Sequence, residues 1–448
     1  MCYYRDGDDM KKYEVIYNKY RNDIINGYLK KKQMLPSIRE SCDLFKASQT
    51  TVEHAYNKLL MEGYITSIPA VGYYVSIEEE RRYLHKQLDD YSKEHDNIEY
   101  KYDFRSQTVS FDSFDINTWK RYLKDVLDDV HSLSTYGDSQ GEYALREALS
   151  GYAYKVRGVL GHPDRILVAS NYQSLLFLLC GLFDKDTIVG MEDLNHNQAK
   201  RVFDSYGYET VLIDSHDDGI SLDSLSKHKI DVLYLNSASG GKKRKPISNK
   251  LRDNIIRYCS EHDILILEDD YNGELSYVSL PHHAMQGFAI KDNIVYCGSF
   301  SRLLLPSLRI SYMVLNDKYY HRYLAHKKEY GPTASKLEQL ALSKYIADGY
   351  LEKHLRKLKK EYKEKNRMMQ KAICKYLDYP YYLDEAYLSY VVELNDIDEE
   401  LLLKNCNIHH IAVNKITNHQ LKLSFASLPH TKIEDAIKEL SIILRESK

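Results

Sequence analysis

No apolar run in this chain reaches the roughly 20 residues that a bilayer-spanning helix needs. The longest clean run covers only residues 175–183. Cysteine is scarce and odd in number, with seven in 448 residues and no Cys-x-x-Cys pair. That usage points to neither a disulfide framework nor a zinc site. The opening residues, MCYYRDGDDMKKYE, hold no apolar stretch of the kind a secretory signal needs, so a cytoplasmic protein without membrane contact is expected. There is one Trp and there are 10 Phe, against 41 Tyr spread along the whole chain. Such a spread fits tyrosine at amphipathic core positions and carries no function of its own. Hydrophobic residues make up 43% and charged residues 28%, a balance that excludes disordered and collagenous chains. At about 100–200 residues per domain, the length predicts more than one folded unit.

Charge is unevenly shared. Residues 1–77 carry 11 Lys+Arg against 9 Asp+Glu, a net of +2, which leaves −5 for the rest. Within this segment Tyr13, Ile16, Tyr17, Tyr20 and Ile24 recur at helical spacing, and Gly27 ends the helix. Ser37 and Glu40 have the spacing of a capping box for a second short helix to Phe45. After a turn at Lys46-Ala47, Ser48 caps a third helix with an apolar stripe of Val52, Ala55, Tyr56, Leu59 and Leu60. Its other face offers Gln49, Thr50, Glu53, His54 and Asn57. Strand-like runs at 64–68 and 73–77 flank a turn at 69–72. Three helices and a hairpin predict a winged helix-turn-helix over residues 1–77.

Residues 78–101 are dense in mixed charge and read as a solvated linker. From 102 to 330 short apolar runs alternate with helical stretches, at 166–169, 188–191, 211–213, 232–235, 264–267, 294–297 and 312–315. These predict buried parallel strands of an α/β sheet, mostly parallel overall, with helices on both faces. Polar residues collect at Glu268-Asp269-Asp270 and Gly298-Ser299, where strands end and where ligands bind in such sheets. Residues 331–448 predict a smaller α+β subdomain. The charged stretch 352–365 reads as a solvent face, and so does the basic run Lys242, Lys243, Arg244, Lys245. His282-His283 and His409-His410 are adjacent pairs without metal spacing and read as surface residues.

The first unit resembles the GntR-type winged-helix domain of bacterial transcription regulators, through LPSIRE (35–40), SQTTVEHAYNKLLMEGYI (48–65) and PAVGYYV (69–75). The resemblance implies contacts to a double-stranded DNA operator from Arg39, Ser48, Gln49, Thr50 and Gly72. Arg39 suits a phosphate or a guanine edge, and Gln49 suits adenine. The family usually has Arg where Gln49 stands. The remainder resembles the fold-type I aminotransferase domain joined to such winged helices in MocR-type regulators. That likeness rests on YGDSQGEYALREALSGYAYKVRGV (136–159), PDRILVASNYQSLL (163–176), ILEDDYNGEL (266–275) and YCGSFSRLLLPSLRISY (296–312).

This second resemblance implies a pyridoxal phosphate site and shows where the chain departs from it. Asp269 stands in the place of the carboxylate on the pyridine nitrogen, and Tyr271 in that of the hydroxyl partner. Ser299, Ser301 and Arg309 stand among the phosphate donors. The Schiff-base lysine is replaced by Arg302, whose guanidinium stays protonated and is no nucleophile. Asn171-Tyr172-Gln173 takes the place of a Gly-Ala-Gln phosphate loop. His196 replaces the stacking tyrosine, and a segment beginning at Asn236 replaces Pro-Thr-Gly. Lys422 replaces the arginine that clamps a substrate carboxylate. Two outcomes stay open. Arg302, Arg309 and Ser299 hold pyridoxal phosphate or another anion without a covalent bond, or Arg302 neutralises Asp269 in a collapsed cavity.

The expected function is that of a sequence-specific transcription regulator. Its aminotransferase-like part would form a homodimer and sense a small-molecule effector, with no catalysis and no covalent cofactor. The alternative is a pyridoxal-phosphate-dependent aminotransferase or a pyridoxal-phosphate-binding regulator.

Overall fold

A computed structural model describes residues 11–69, 71–77, 100–105, 114–192, 198–242, 244–271, 273–278, 282–385, 387–414 and 419–448. Most of the 78–101 segment, and His196, therefore lie outside the described residues. The chain divides into two compact units, Met1–Glu99 and Tyr100–Lys448.

In the first unit, helices α1 (Lys12–Ile25), α2 (Ile38–Phe45) and α3 (Gln49–Met61) precede an antiparallel hairpin of β1 (Ile65–Ile68) and β2 (Gly72–Val75). The capping box forms as the spacing predicts. Ser37 Oγ accepts from the Glu40 amide at 3.2 Å, and Glu40 Oε2 accepts from the Ser37 amide at 2.7 Å. Lys46 then takes a left-handed conformation, φ 46°, which turns the chain sharply between α2 and α3. Val52, Ala55, Tyr56 and Leu59 are buried against Ile16, Tyr20 and Ile24 of α1, while Leu60 is only partly buried. Tyrosines here pack their rings and spend their hydroxyls. Ser41 Oγ lies 2.8 Å from the Tyr20 hydroxyl and 2.9 Å from that of Tyr56, which donates to the Pro36 carbonyl at 2.7 Å.

The second unit is built on a seven-stranded sheet. Its strands in chain order are β3 (Ile166–Ala169), β4 (Ile188–Met191), β5 (Glu209–Leu212), β6 (Val232–Asn236), β7 (Leu265–Asp269), β8 (Ile294–Ser299) and β9 (Ser311–Val314). The spatial order is β3-β9-β8-β7-β6-β4-β5, and the pairs from β8 through β5 are all parallel. Two expectations are corrected. The run at 312–315 becomes β9, antiparallel to both neighbours, because only residues 300–310 join it to β8 and a parallel crossover needs a dozen or more. The run at 211–213 becomes edge strand β5, which is half-exposed instead of buried.

A three-stranded antiparallel sheet of β10 (Tyr381–Asp384), β11 (Ser389–Glu393) and β12 (Gln420–Ser424) forms the C-terminal part. It is reached through a 27-residue helix, Tyr350–Tyr376. The charged stretch 352–365 lies in that helix, and one of its faces is core, contrary to the solvated expectation. Leu355, Leu358 and Tyr362 are buried, and Lys365 is 1% exposed, donating to the Ala426 carbonyl at 2.9 Å beside Glu361 at 3.1 Å. An i, i+4 partner and a carbonyl let the ammonium enter the core. Among the described residues no helix is long and apolar enough to cross a membrane, and no group of metal-ligating side chains forms.

Candidate functional site

In the first unit, Arg39, Ser48, Gln49 and Thr50 are all exposed, at the starts of α2 and α3. Ser48 Oγ accepts from the Thr51 amide at 3.3 Å and lies 3.0 Å from the Thr50 hydroxyl, so these two residues are occupied with the helix start. Arg39 makes no hydrogen bond or ion pair among the described residues. Gly72 begins β2 with φ 149°, and a Cβ there would lie 2.5 Å from Met34 Cε. The positive φ favours glycine there, while the Met34 methyl is the end of a flexible, exposed side chain.

The second unit opens a cavity of about 920 Å³ at the carboxyl edge of its sheet. Strand alternation decides which side chains reach it. Glu268, Asp269 and Asp270 point to alternate faces at the end of β7. Glu268 is buried and accepts from the Ser237 hydroxyl at 2.7 Å and from the amides of Met285 and Gln286. Asp270 is buried and receives a bidentate contact from Arg157 at 2.6 and 2.8 Å, with the Tyr296 hydroxyl at 2.9 Å. Asp269 alone of the three lines the cavity, accepting from the Tyr234 hydroxyl at 2.7 Å. Burial, opposed by that hydrogen bond and aided by the charge of Asp270, raises its carboxyl to about 7.

Asn171 caps the helix Tyr172–Cys180, its Oδ1 accepting from the Ser174 amide at 2.9 Å, and Asn171, Tyr172 and Gln173 line the cavity together. Ser299 and Ser301 lie across from one another, Oγ to Oγ 3.1 Å, with the Ser311 hydroxyl 3.0 Å from Ser299. Arg309 also lines the cavity, in a left-handed conformation with φ 49°, and makes no hydrogen bond or ion pair among the described residues. Asn236 Oδ1 accepts from the amides of Ala238 and Ser239 and holds the turn after β6. Tyr271 packs on Tyr387 with ring centres 5.2 Å apart, and Lys422 Nζ lies 5.5 Å from the Tyr387 ring.

Ten of the proposed residues thus line one cavity: Asn171, Tyr172, Gln173, Asn236, Asp269, Tyr271, Ser299, Ser301, Arg309 and Lys422. Arg302 does not. It is 8% exposed, donates to the Tyr387 carbonyl at 3.2 Å and lies 5.8 Å from the Tyr271 ring. The cavity is not collapsed, and Asp269 lines it.

Sequence reasoning missed Arg244 and Tyr234. Arg244 belongs to the basic run expected to be solvated, yet it lines the cavity. The Gly240–Lys245 bridge closes a tight loop, and Arg244 turns inward with φ 49°. Nothing in four consecutive cations shows which one does so. Tyr234 was legible, because it precedes Asn236 by two residues on the same strand face. At the same end Asp384 is raised to about 6 by burial, against the pull of Lys422 and Arg244.

Attachment of pyridoxal phosphate through an imine does not fit these residues. The position that the resemblance gives to the amine holds a guanidinium, and that guanidinium donates to the carbonyl of Tyr387, a residue of the cavity wall.

Residues 101–440 match the family of class I and II aminotransferases, and residues 12–75 match the gntR family of bacterial regulatory proteins. An uncharacterized HTH-type transcriptional regulator, YdeL of Bacillus subtilis, is 28% identical over 368 residues, covering 82% of this chain and 80% of that one. The probable rhizopine catabolism regulatory protein MocR of Rhizobium meliloti is 26% identical over 389 residues, covering 82% and 78%. Among solved structures, an archaeal alanine:glyoxylate aminotransferase superposes with a TM-score of 0.70 at 18% identity, over 81% of this chain and 95% of that one, which is a likeness of fold. The chain belongs to the class I and II aminotransferase family through its large unit and, with a gntR-type domain ahead of it, is a DNA-binding transcription regulator of the MocR type.

Proposed function

We propose that this regulator binds a specific operator and holds a small anionic ligand without a covalent bond, and that it carries out no transamination. The observation that carries this is the split between Arg302 and its neighbours. The residue at the imine position is tied to the Tyr387 carbonyl, while Arg309, Arg244 and Lys422 still line an open cavity. Three cations lining the same cavity as Asp269, whose carboxyl is near 7, favour a ligand that carries phosphate or carboxylate groups. Non-covalent pyridoxal phosphate belongs to that class.

The same proposal includes a homodimer formed through the aminotransferase-like part, a cytoplasmic location, and a division into 1–77, 78–101, 102–330 and 331–448. The two compact units and the two family matches support the separation of the first part from the residues after about 100. The test is thermal unfolding of the full chain with pyridoxal phosphate, pyridoxamine phosphate, inorganic phosphate and dicarboxylates. A ligand that binds only the folded form raises Tm. A rise with at least one of these, without imine absorption, is expected. No rise with any of them contradicts ligand sensing and leaves a domain that only dimerises.

A further inference from the structure

We propose that Glu53 sets the base preference of α3 by holding the Gln49 amide in the one orientation that reads adenine and rejects guanine. This rests on the DNA-binding function and goes to the level of the base. Most polar groups at the start of α3 are already spent. Ser48 is committed to its cap and lies against the Thr50 and Thr51 hydroxyls, and the His54 ring packs on Tyr13 with centres 4.2 Å apart. Gln49 is exposed, and Glu53 and Asn57 follow it at four-residue steps along the same stripe.

Gln49 Nε2 donates to Glu53 Oε1 at 2.8 Å. An ionised carboxylate only accepts, so a flipped amide would set oxygen against oxygen. Glu53 therefore fixes which end of the amide is which and takes one of its two N–H groups. One N–H and the Oε1 acceptor remain for a base edge. Adenine presents an acceptor at N7 and a donor at N6, which matches that pair. Guanine presents acceptors at both N7 and O6. A free amide could span these with its two N–H groups, but one held by Glu53 has a single N–H left. The Glu53 charge further opposes two acceptors.

The experiment is selection from random duplexes with the full chain, followed by competition titrations, for wild type, Gln49→Ala and Glu53→Gln. Wild type is expected to enrich a motif with adenine fixed at one position in each half-site. Gln49→Ala should lose the preference at that position alone. Glu53→Gln, which can no longer impose the orientation, should admit guanine there and lower the adenine-to-guanine ratio by roughly tenfold. Circular dichroism of each variant checks that α3 is intact. If wild type enriches no motif, the DNA-binding function fails and the proposal with it. If a motif is enriched but Glu53→Gln leaves the adenine-to-guanine ratio unchanged, or guanine is the base that depends on Gln49, the proposal alone is overturned.

Discussion

The Arg302 guanidinium donates to the Tyr387 carbonyl oxygen at 3.2 Å, so the residue at the imine position joins the large sheet to the β10–β11 connection. Tyr271 lies between the two, 5.8 Å from the guanidinium and 5.2 Å from the Tyr387 ring. Arg302 thus serves as a structural tie across one wall of the cavity.

Arg302→Ala should lower stability by about 1.5–3 kcal/mol, the usual range for losing a charge-assisted hydrogen bond in a buried setting. Urea unfolding of the variant measures this. A change below about 0.5 kcal/mol would show that the contact with Tyr387 contributes little.

Arg309→Ala, Arg244→Ala and Lys422→Ala should each reduce the ligand-induced rise in Tm, with apparent affinity falling by roughly tenfold or more per lost charge-assisted contact. Arg309→Ala is expected to have the smallest effect on unliganded stability, because no partner among the described residues is lost with it. Calorimetric titration of each variant separates the three.

Stability should fall as pH rises from about 4.5 to above 7. Asp269 and Glu274 are raised to about 7 and Asp384 to about 6, each chiefly by burial. The folded form keeps protons that the unfolded chain releases near pH ~4. The stability they contribute is complete below that range and is lost as pH passes through 6 and 7. Asp269→Asn with Glu274→Gln should flatten the profile, read as the unfolding free energy across pH 4.5–8.

Arg157→Ala should cost about 3–5 kcal/mol, because it strips a buried bidentate partner from Asp270. Both side chains are buried on the sheet face opposite Asp269, so the loss should appear in chemical denaturation of the large unit.

Much of this was legible in the sequence because local rules agreed with the fold. The Ser37–Glu40 box and the α3 stripe follow from spacing alone, and both form. The cluster Glu268-Asp269-Asp270 was legible by its place at a strand end, and the family resemblance singled out Asp269 among the three. The inward turn of Arg244 was not, since it depends on a loop closed by the Gly240–Lys245 bridge and on a left-handed backbone that no side-chain pattern encodes. The direction of β9 was also hidden. Its apolar run is as continuous as those of the parallel strands, and only the length of the preceding connection separates the two cases. The buried face of 352–365 was masked by its density of charge, and Lys365 packs there through its stem and its partners.

The most direct test is borohydride reduction of the full-length protein after incubation with pyridoxal phosphate, followed by peptide mass spectrometry. With Arg302 at the imine position, no single lysine of the large unit should carry a stoichiometric pyridoxyl group, and no imine absorption should precede reduction. A stoichiometric, borohydride-stable pyridoxyl adduct on one lysine of this unit, Lys422 included, would contradict the non-covalent site.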